Sequence, residues 1–214
     1  MSEEYDLEEY APWLLIPIIL MGGFLRVLLL GSKGMWLDET FSVWMAGHSL
    51  PDLLQWIVRI DQHPPLYYFL LHYWIALFGD TPYYVRLLSA LFGAGAIPII
   101  YLIGKRMSGA AMGLAAAVLL ALSPFHIYFA QETRMYALLT FNAAAAIYAL
   151  VRLLTDPRAV RPIGSQFWEY LHVRRWSSIQ TIATDLAWVA FIVFSVATML
   201  SHNTAVLFPL ATNV

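Results

Sequence analysis

The sequence predicts an all-α, polytopic transmembrane protein of about five spans, each some 20 residues long. Three observations carry the prediction. Of 214 residues, 60% are hydrophobic and only 12% are charged, whereas soluble domains carry about 25% charged residues. Mean hydropathy is +0.66. Several apolar runs reach bilayer length, and the charged residues gather at the ends of those runs rather than along them. The absence of cysteine removes any disulfide framework or thiolate metal site. A net charge of −2 offers no footprint for nucleic acid.

Residues 1–10, MSEEYDLEEY, hold five acids and no Lys or Arg. This is the reverse of a signal-peptide n-region, so the following apolar segment is expected to be retained. Ala11–Leu30 is the first predicted span, interrupted only by Arg26 near its end, from which a long side chain can snorkel to the interface. Residues 31–82 form the first polar-containing loop. Within it, Pro51–Ile60 places Leu53, Leu54, Ile57 and Ile60 at helical spacing, predicting a short amphipathic helix lying on the membrane. Leu66–Gly79 is apolar but too short to cross, and reads as a re-entrant or interfacial helix. Tyr83–Gly104, Ala110–Ala130, Met135–Val151 and Ile182–Leu200 are the remaining predicted spans. A polar stretch at 152–181 separates the last two, and the chain stops at PLATNV directly after an apolar run, as a truncated chain would.

Basic residues orient this arrangement. With five spans, Lys105, Arg106, Arg152, Arg158, Arg161, Arg174 and Arg175 share one side, which the positive-inside rule makes cytoplasmic together with residues 1–10. Asp38, Glu39, His63, Glu132, Arg134 and His202 then share the other side. Each has a plain reading beside a functional one. Asp38-Glu39 is an acidic pair in a surface loop, yet it is flanked by Trp36, Phe41 and Trp44 rather than by solvated charges. His63 precedes Pro64-Pro65 and is either part of a helix start or a group that meets phosphate or metal. Arg86 in the first turn of a span either snorkels or serves a site. Glu132 and Arg134 form either an interfacial ion pair or half of a site. His72 and His126 read as packing residues. Two acidic motifs and arginines on one membrane face suit proton abstraction from a hydroxyl beside a departing phosphate.

Four stretches, WLDETFSVW, DQHPPLYYFLLHYW, VRLLSALFGAGAIPIIYLIGKRMSG and ALSPFHIYFAQETRMYALLTF, occur in order between about Leu25 and Phe208. Together they resemble the GT-C superfamily of membrane glycosyltransferases, in particular the protein O-mannosyltransferase-like and aminoarabinose-transferase-like group. The resemblance implies a polyprenyl-phosphate sugar donor, an acceptor glycan, lipid or protein, and inverting transfer on the extracytoplasmic face of the plasma (inner) membrane. By position, it makes Asp38 the general base and Glu39 its companion in a DE motif. It places Arg86, His63, Glu132, Arg134 and His202 around the donor phosphate, with Glu132 and His63 as candidate ligands of a divalent metal ion. Residues 11–214 would then be the N-terminal part of a longer transmembrane domain, with residues 131–134 as its second extracytoplasmic loop. Two other classes fit the composition: a transporter or flippase of lipid-linked sugars, and a non-catalytic lipid-binding scaffold. Transporters favour ionisable groups at the bilayer midplane on discontinuous helices and internal repeats; here the charges sit at span ends, and no repeat is visible.

Overall fold

The computed structural model describes residues 7–60, 63–155 and 179–212, apart from the side chains of 179–184 and 210. Asp61, Gln62, the first residues of the acidic tail, and Arg158, Arg161, Arg174 and Arg175 of the 152–181 loop lie outside the described residues. All regular elements among the described residues are helical: α1 (Leu7–Val27), α2 (Leu37–Ala46), α3 (Leu50–Arg59), α4 (Leu66–Phe78), α5 (Pro82–Ser108), α6 (Ala110–Leu122), α7 (Pro124–Ala130), α8 (Tyr136–Thr155), α9 (Ile179–Met199), a 3₁₀ turn (Asn203–Leu207) and α10 (Phe208–Thr212). The chain is an all-α integral membrane protein.

Among the described residues, α1, α5 and α8 are each long and apolar enough to cross a membrane. The predicted fourth span, Ala110–Ala130, is two helices, α6 and α7, meeting at 59°. The cause is local. Pro124 has no N–H to continue the ladder, and it pushes the preceding Ser123 into an extended conformation with ψ 112°. Ser123 then caps the new helix, its Oγ accepting from the His126 N–H. The last predicted span corresponds to α9, whose described apolar part, Asp185–Met199, is shorter than a span. As expected from its length, α4 is a short apolar helix.

α1, α5 and α6 pack together, with α5 antiparallel to the other two. Glu8, at the start of α1, pairs with Lys105 Nζ at 2.9 Å and accepts from the Ala110 N–H at 2.7 Å. It thereby joins the end of α5 to the start of α6. The α5–α6 crossing is close enough that a Cβ at Gly113 would lie 2.7 Å from the Tyr101 carbonyl oxygen, so only glycine fits. Arg106 Nε donates to Thr155 Oγ1 at 2.7 Å, placing the end of α8 at this same basic end of the bundle.

The opposite end carries the polar loops. There α2, α4, α5 and the start of α8 enclose a core of Met45, Ala46, Leu53, Tyr67, Tyr68, Leu71, Val85, Leu88, Met135 and Leu138. α3 runs close to its predicted limits, with Leu53 buried while Leu54 and Val58 face outward. His72 packs as the sequence suggested, its Nδ1 donating to the Ala46 carbonyl at the end of α2. Arg26 does not snorkel. It is fully buried, donating to the Gly22, Leu120 and Ala121 carbonyls and to His126 Nδ1.

Candidate active site

The acidic pair is helical, not loop: Asp38 and Glu39 occupy the first turn of α2, where the helix N-terminus favours negative charge. Successive helical residues diverge by about 100°, so the two side chains face different ways. Asp38 is half-buried and its carboxylate has no hydrogen-bond or ion-pair partner among the described residues. Glu39 is fully buried.

Four N–H groups surround the Glu39 carboxylate. Arg86 approaches it side-on, Nε donating to Oε1 at 2.8 Å and Nη2 to Oε2 at 2.7 Å. The Thr133 N–H reaches Oε1 at 2.9 Å, and the Trp36 N–H reaches Oε2 at 3.4 Å. Burial opposes the charged form of Glu39, but the hydrogen bonds from Arg86 and Thr133 outweigh it and hold the carboxyl below its ordinary range. Arg86 is as fully engaged as its partner. Its remaining three N–H groups donate to the carbonyls of Leu30, Lys33 and Gly34 at 2.7–3.0 Å. All five donors are therefore taken by the protein, and none is left for a phosphate in this arrangement. Arg86 thus forms a clamp that joins the end of α1, the start of α2 and the start of α5.

Gln131–Arg134 arrives at the same place from α7. Gln131 Nε2 donates to the Leu25 and Leu28 carbonyls, both at 3.0 Å, which pins the loop to the end of α1. Arg134 is buried, and its Nη1 donates to Ser42 Oγ at 3.3 Å. Ser42 in turn donates to the Asp38 carbonyl at 2.8 Å. The Arg134 carbonyl accepts from Ser89, whose hydroxyl also meets that of the fully buried Tyr67. Arg134 Nε is left without a partner. Glu132 is also buried, with Oε2 unpartnered. Burial, with the Glu39 charge added, lifts its carboxyl above the usual range despite Tyr128, Arg134 and Arg86 nearby.

An open cleft of about 100 Å³ lies over the clamp, lined in part by Lys33, Trp36, Glu39, Arg86, Tyr128 and Glu132. His63 and His202 do not line this cleft and stand against each other, with ring centroids 5.5 Å apart. The Leu66 N–H donates to the Leu200 carbonyl and so brings α4 to the end of α9. His202 also lies 5.9 Å from the Tyr136 ring. Burial, with His63 and Arg134 adding positive charge, moves His202 below the ordinary imidazole value. Its Nδ1 accepts from the Thr204 N–H at 3.2 Å, which puts the proton of the neutral ring on Nε2.

The sequence-selected residues thus separate into two groups. Glu39, Arg86, Glu132 and Arg134 converge, with Asp38 beside Glu39 on the first turn of α2. His63 and His202 form a pair of their own. Among the described residues no cluster of three potential His, Asp or Glu ligands occurs, and Glu132 lines the cleft while His63 does not. Sequence reasoning missed Ser42, Thr133, Ser89 and Tyr128. Ser42 had a faint signal, lying one helical turn beyond Asp38, but the backbone N–H of Thr133 had none.

Comparison with curated proteins and with solved structures found no match. Residues 62–168 match the dolichyl-phosphate-mannose-protein mannosyltransferase family. The matched segment includes His63, Arg86, Glu132 and Arg134, while Asp38, Glu39 and His202 lie outside it. With α4, α5, the broken α6–α7 and α8 falling in that segment, and with an assembled polar site at one end of an apolar bundle, the chain belongs to the dolichyl-phosphate-mannose-protein mannosyltransferase family, membrane glycosyltransferases of the GT-C type.

Proposed function

We propose that this chain contributes the catalytic face of an inverting glycosyltransferase that moves a sugar from a polyprenyl-phosphate donor to an acceptor hydroxyl of a glycan, lipid or protein. The observation that carries the reading is the joining of the two acidic motifs. Thr133 binds Glu39 and Arg134 binds Ser42, both on the α2 helix that bears Asp38, and among the described residues the Asp38 carboxylate and the buried Arg134 Nε have no partner. Family membership favours the transferase over a flippase or a passive scaffold.

In this reading Asp38 takes the proton of the acceptor hydroxyl. The acceptor oxygen attacks the anomeric carbon from the face opposite the phosphate, and the anomeric C–O bond breaks with its electron pair going to the phosphate oxygen. Arg134 stabilises that departing charge, and the His202 Nε2–H supplies a neutral donor nearby. Glu39 and Arg86 take no part in bond making. They hold the α2 turn in register with the 131–134 loop.

The cluster sits at the end of the bundle opposite Lys105 and Arg106, which supports an extracytoplasmic site in the plasma membrane. Replacing Asp38 with Asn in the intact membrane-embedded protein tests the assignment, with transfer from a lipid-linked sugar as the readout. Transfer is expected to fall by about 100-fold or more, the scale of a lost general base. Undiminished transfer would overturn the role.

A further inference from the structure

The break between α6 and α7 creates a problem that Arg26 solves. In an unbroken helix the Leu120 and Ala121 carbonyls would accept from the residues at 124 and 125. Pro124 has no N–H, and the 59° turn carries the next one away, so Leu120 keeps only a long bond from the Ser123 N–H at 3.3 Å and Ala121 has no backbone donor among the described residues. An unsatisfied carbonyl within an apolar bundle is costly, because no water is there to donate to it. Arg26, reaching across from α1, donates to Leu120 at 2.9 Å and to Ala121 at 3.2 Å. The same guanidinium donates to His126 Nδ1 at 2.8 Å, on the first turn of α7, and so grips both sides of the break. The space it needs is kept by Gly93, where a Cβ would lie 2.6 Å from Ala130 and 3.2 Å from Arg26.

α7 is only 7 residues long and ends directly at Gln131. Its direction therefore decides where Glu132, Thr133 and Arg134 arrive. We propose that Arg26 is a positioning residue: by capping the carbonyls released at the α6–α7 break and holding His126, it fixes the angle at which α7 delivers the 131–134 loop to the α2 turn. Its effect on turnover rests on the transferase reading above. Its effect on the helix angle does not.

The chain has no cysteine, so two can be introduced for spin labels, at Met112 on α6 and Tyr128 on α7, both exposed. This labelled protein serves for distances alone, and the unlabelled intact protein for kinetics. Arg26→Met leaves Pro124 breaking the ladder but is expected to let α7 swing towards the α6 axis, lengthening the mean distance between labels by up to about 3 Å at 1.5 Å rise per residue. Turnover per folded molecule should fall by about 100-fold, the scale of a small misplacement of site groups, with a smaller change in KM for the lipid-linked donor. Arg26→Lys keeps a cation and should recover part of both effects. Should Arg26→Met fail to fold, Arg26→Lys and His126→Ala carry the test, each with an intermediate shift in distance and turnover.

Variants that fold with the wild-type distance and the wild-type turnover overturn the proposal. A shifted distance in a protein whose transfer survives Asp38→Asn would instead retain Arg26 as the positioner and remove Asp38 as the base. Loss of transfer in Asp38→Asn beside unaltered Arg26 variants would do the reverse.

Discussion

Arg86 offers the sharpest separation between a clamp and a ligand-binding residue, because the two roles predict opposite changes in stability. Replacing it with Met removes both of its bonds to the Glu39 carboxylate and three more to the Leu30, Lys33 and Gly34 carbonyls. Glu39 keeps only the N–H groups of Thr133 and Trp36, and is left as a buried charge without its counter-ion. Breaking a buried pair on one side costs about 3–5 kcal/mol. The three orphaned carbonyls can only add to this. Such a loss is a large share of a total stability of about 5–15 kcal/mol.

Arg86→Lys should fare little better, since an ammonium cannot form the two-pronged contact or reach three carbonyls at once. A double variant, Glu39→Met with Arg86→Met, should regain part of the loss, because no buried charge remains. The assay is thermal unfolding of the purified, membrane-embedded protein, with the wild type and three variants compared over pH. The sign with pH follows from Glu39, whose carboxyl is held below its ordinary value of 4.5. Its contribution is fully present above that value and is lost as pH falls through the lower folded one. The double variant should lack this acid-side loss. An Arg86→Lys protein with unchanged unfolding temperature and only a raised KM for the lipid-linked donor would refute the clamp and return Arg86 to the phosphate.

Two further predictions concern the surroundings of the clamp. Glu132→Gln should stabilise the protein at neutral pH, because burial and the Glu39 charge make ionised Glu132 costly. Its raised value means the wild type gains relative stability as pH falls through that value towards the ordinary 4.5, and the gap between wild type and variant should close there; a gap constant with pH, in unfolding measurements, would contradict this. For sidedness, single cysteines at Ser32 and Ser108, both exposed, should be modified from outside intact cells only at position 32. Modification at 108, alone or with 32, would reverse the topology.

Much of the architecture was legible because membrane helices are written in composition. Apolar length alone located α1, α5 and α8, and the shortness of Leu66–Gly79 correctly separated α4 from them. The acidic pair and the Glu132–Arg134 motif stood out because charges are scarce in such a chain. What length and scarcity could not reveal was partnership. Arg26 and Arg86 look alike in sequence, each a lone cation near the end of an apolar run, and both could be read as snorkelling to the interface. One caps a broken helix and the other clamps a carboxylate, because carbonyls and N–H groups brought in from remote elements stand within 3.2 Å of them.

The same distinction runs through the acidic motif. The sequence by itself determined that this is an all-helical membrane protein and the family resemblance that residues 62–168 support. The tertiary structure decided what the motifs do to one another. Asp38 and Glu39 are adjacent in the chain, yet the helical turn sends one to the Arg86 guanidinium and the Thr133 N–H and leaves the other without a partner among the described residues. The reason is physical: a bilayer-length apolar run is a local property of the chain, whereas satisfying a buried charge needs donors supplied by segments 47 and 94 residues away.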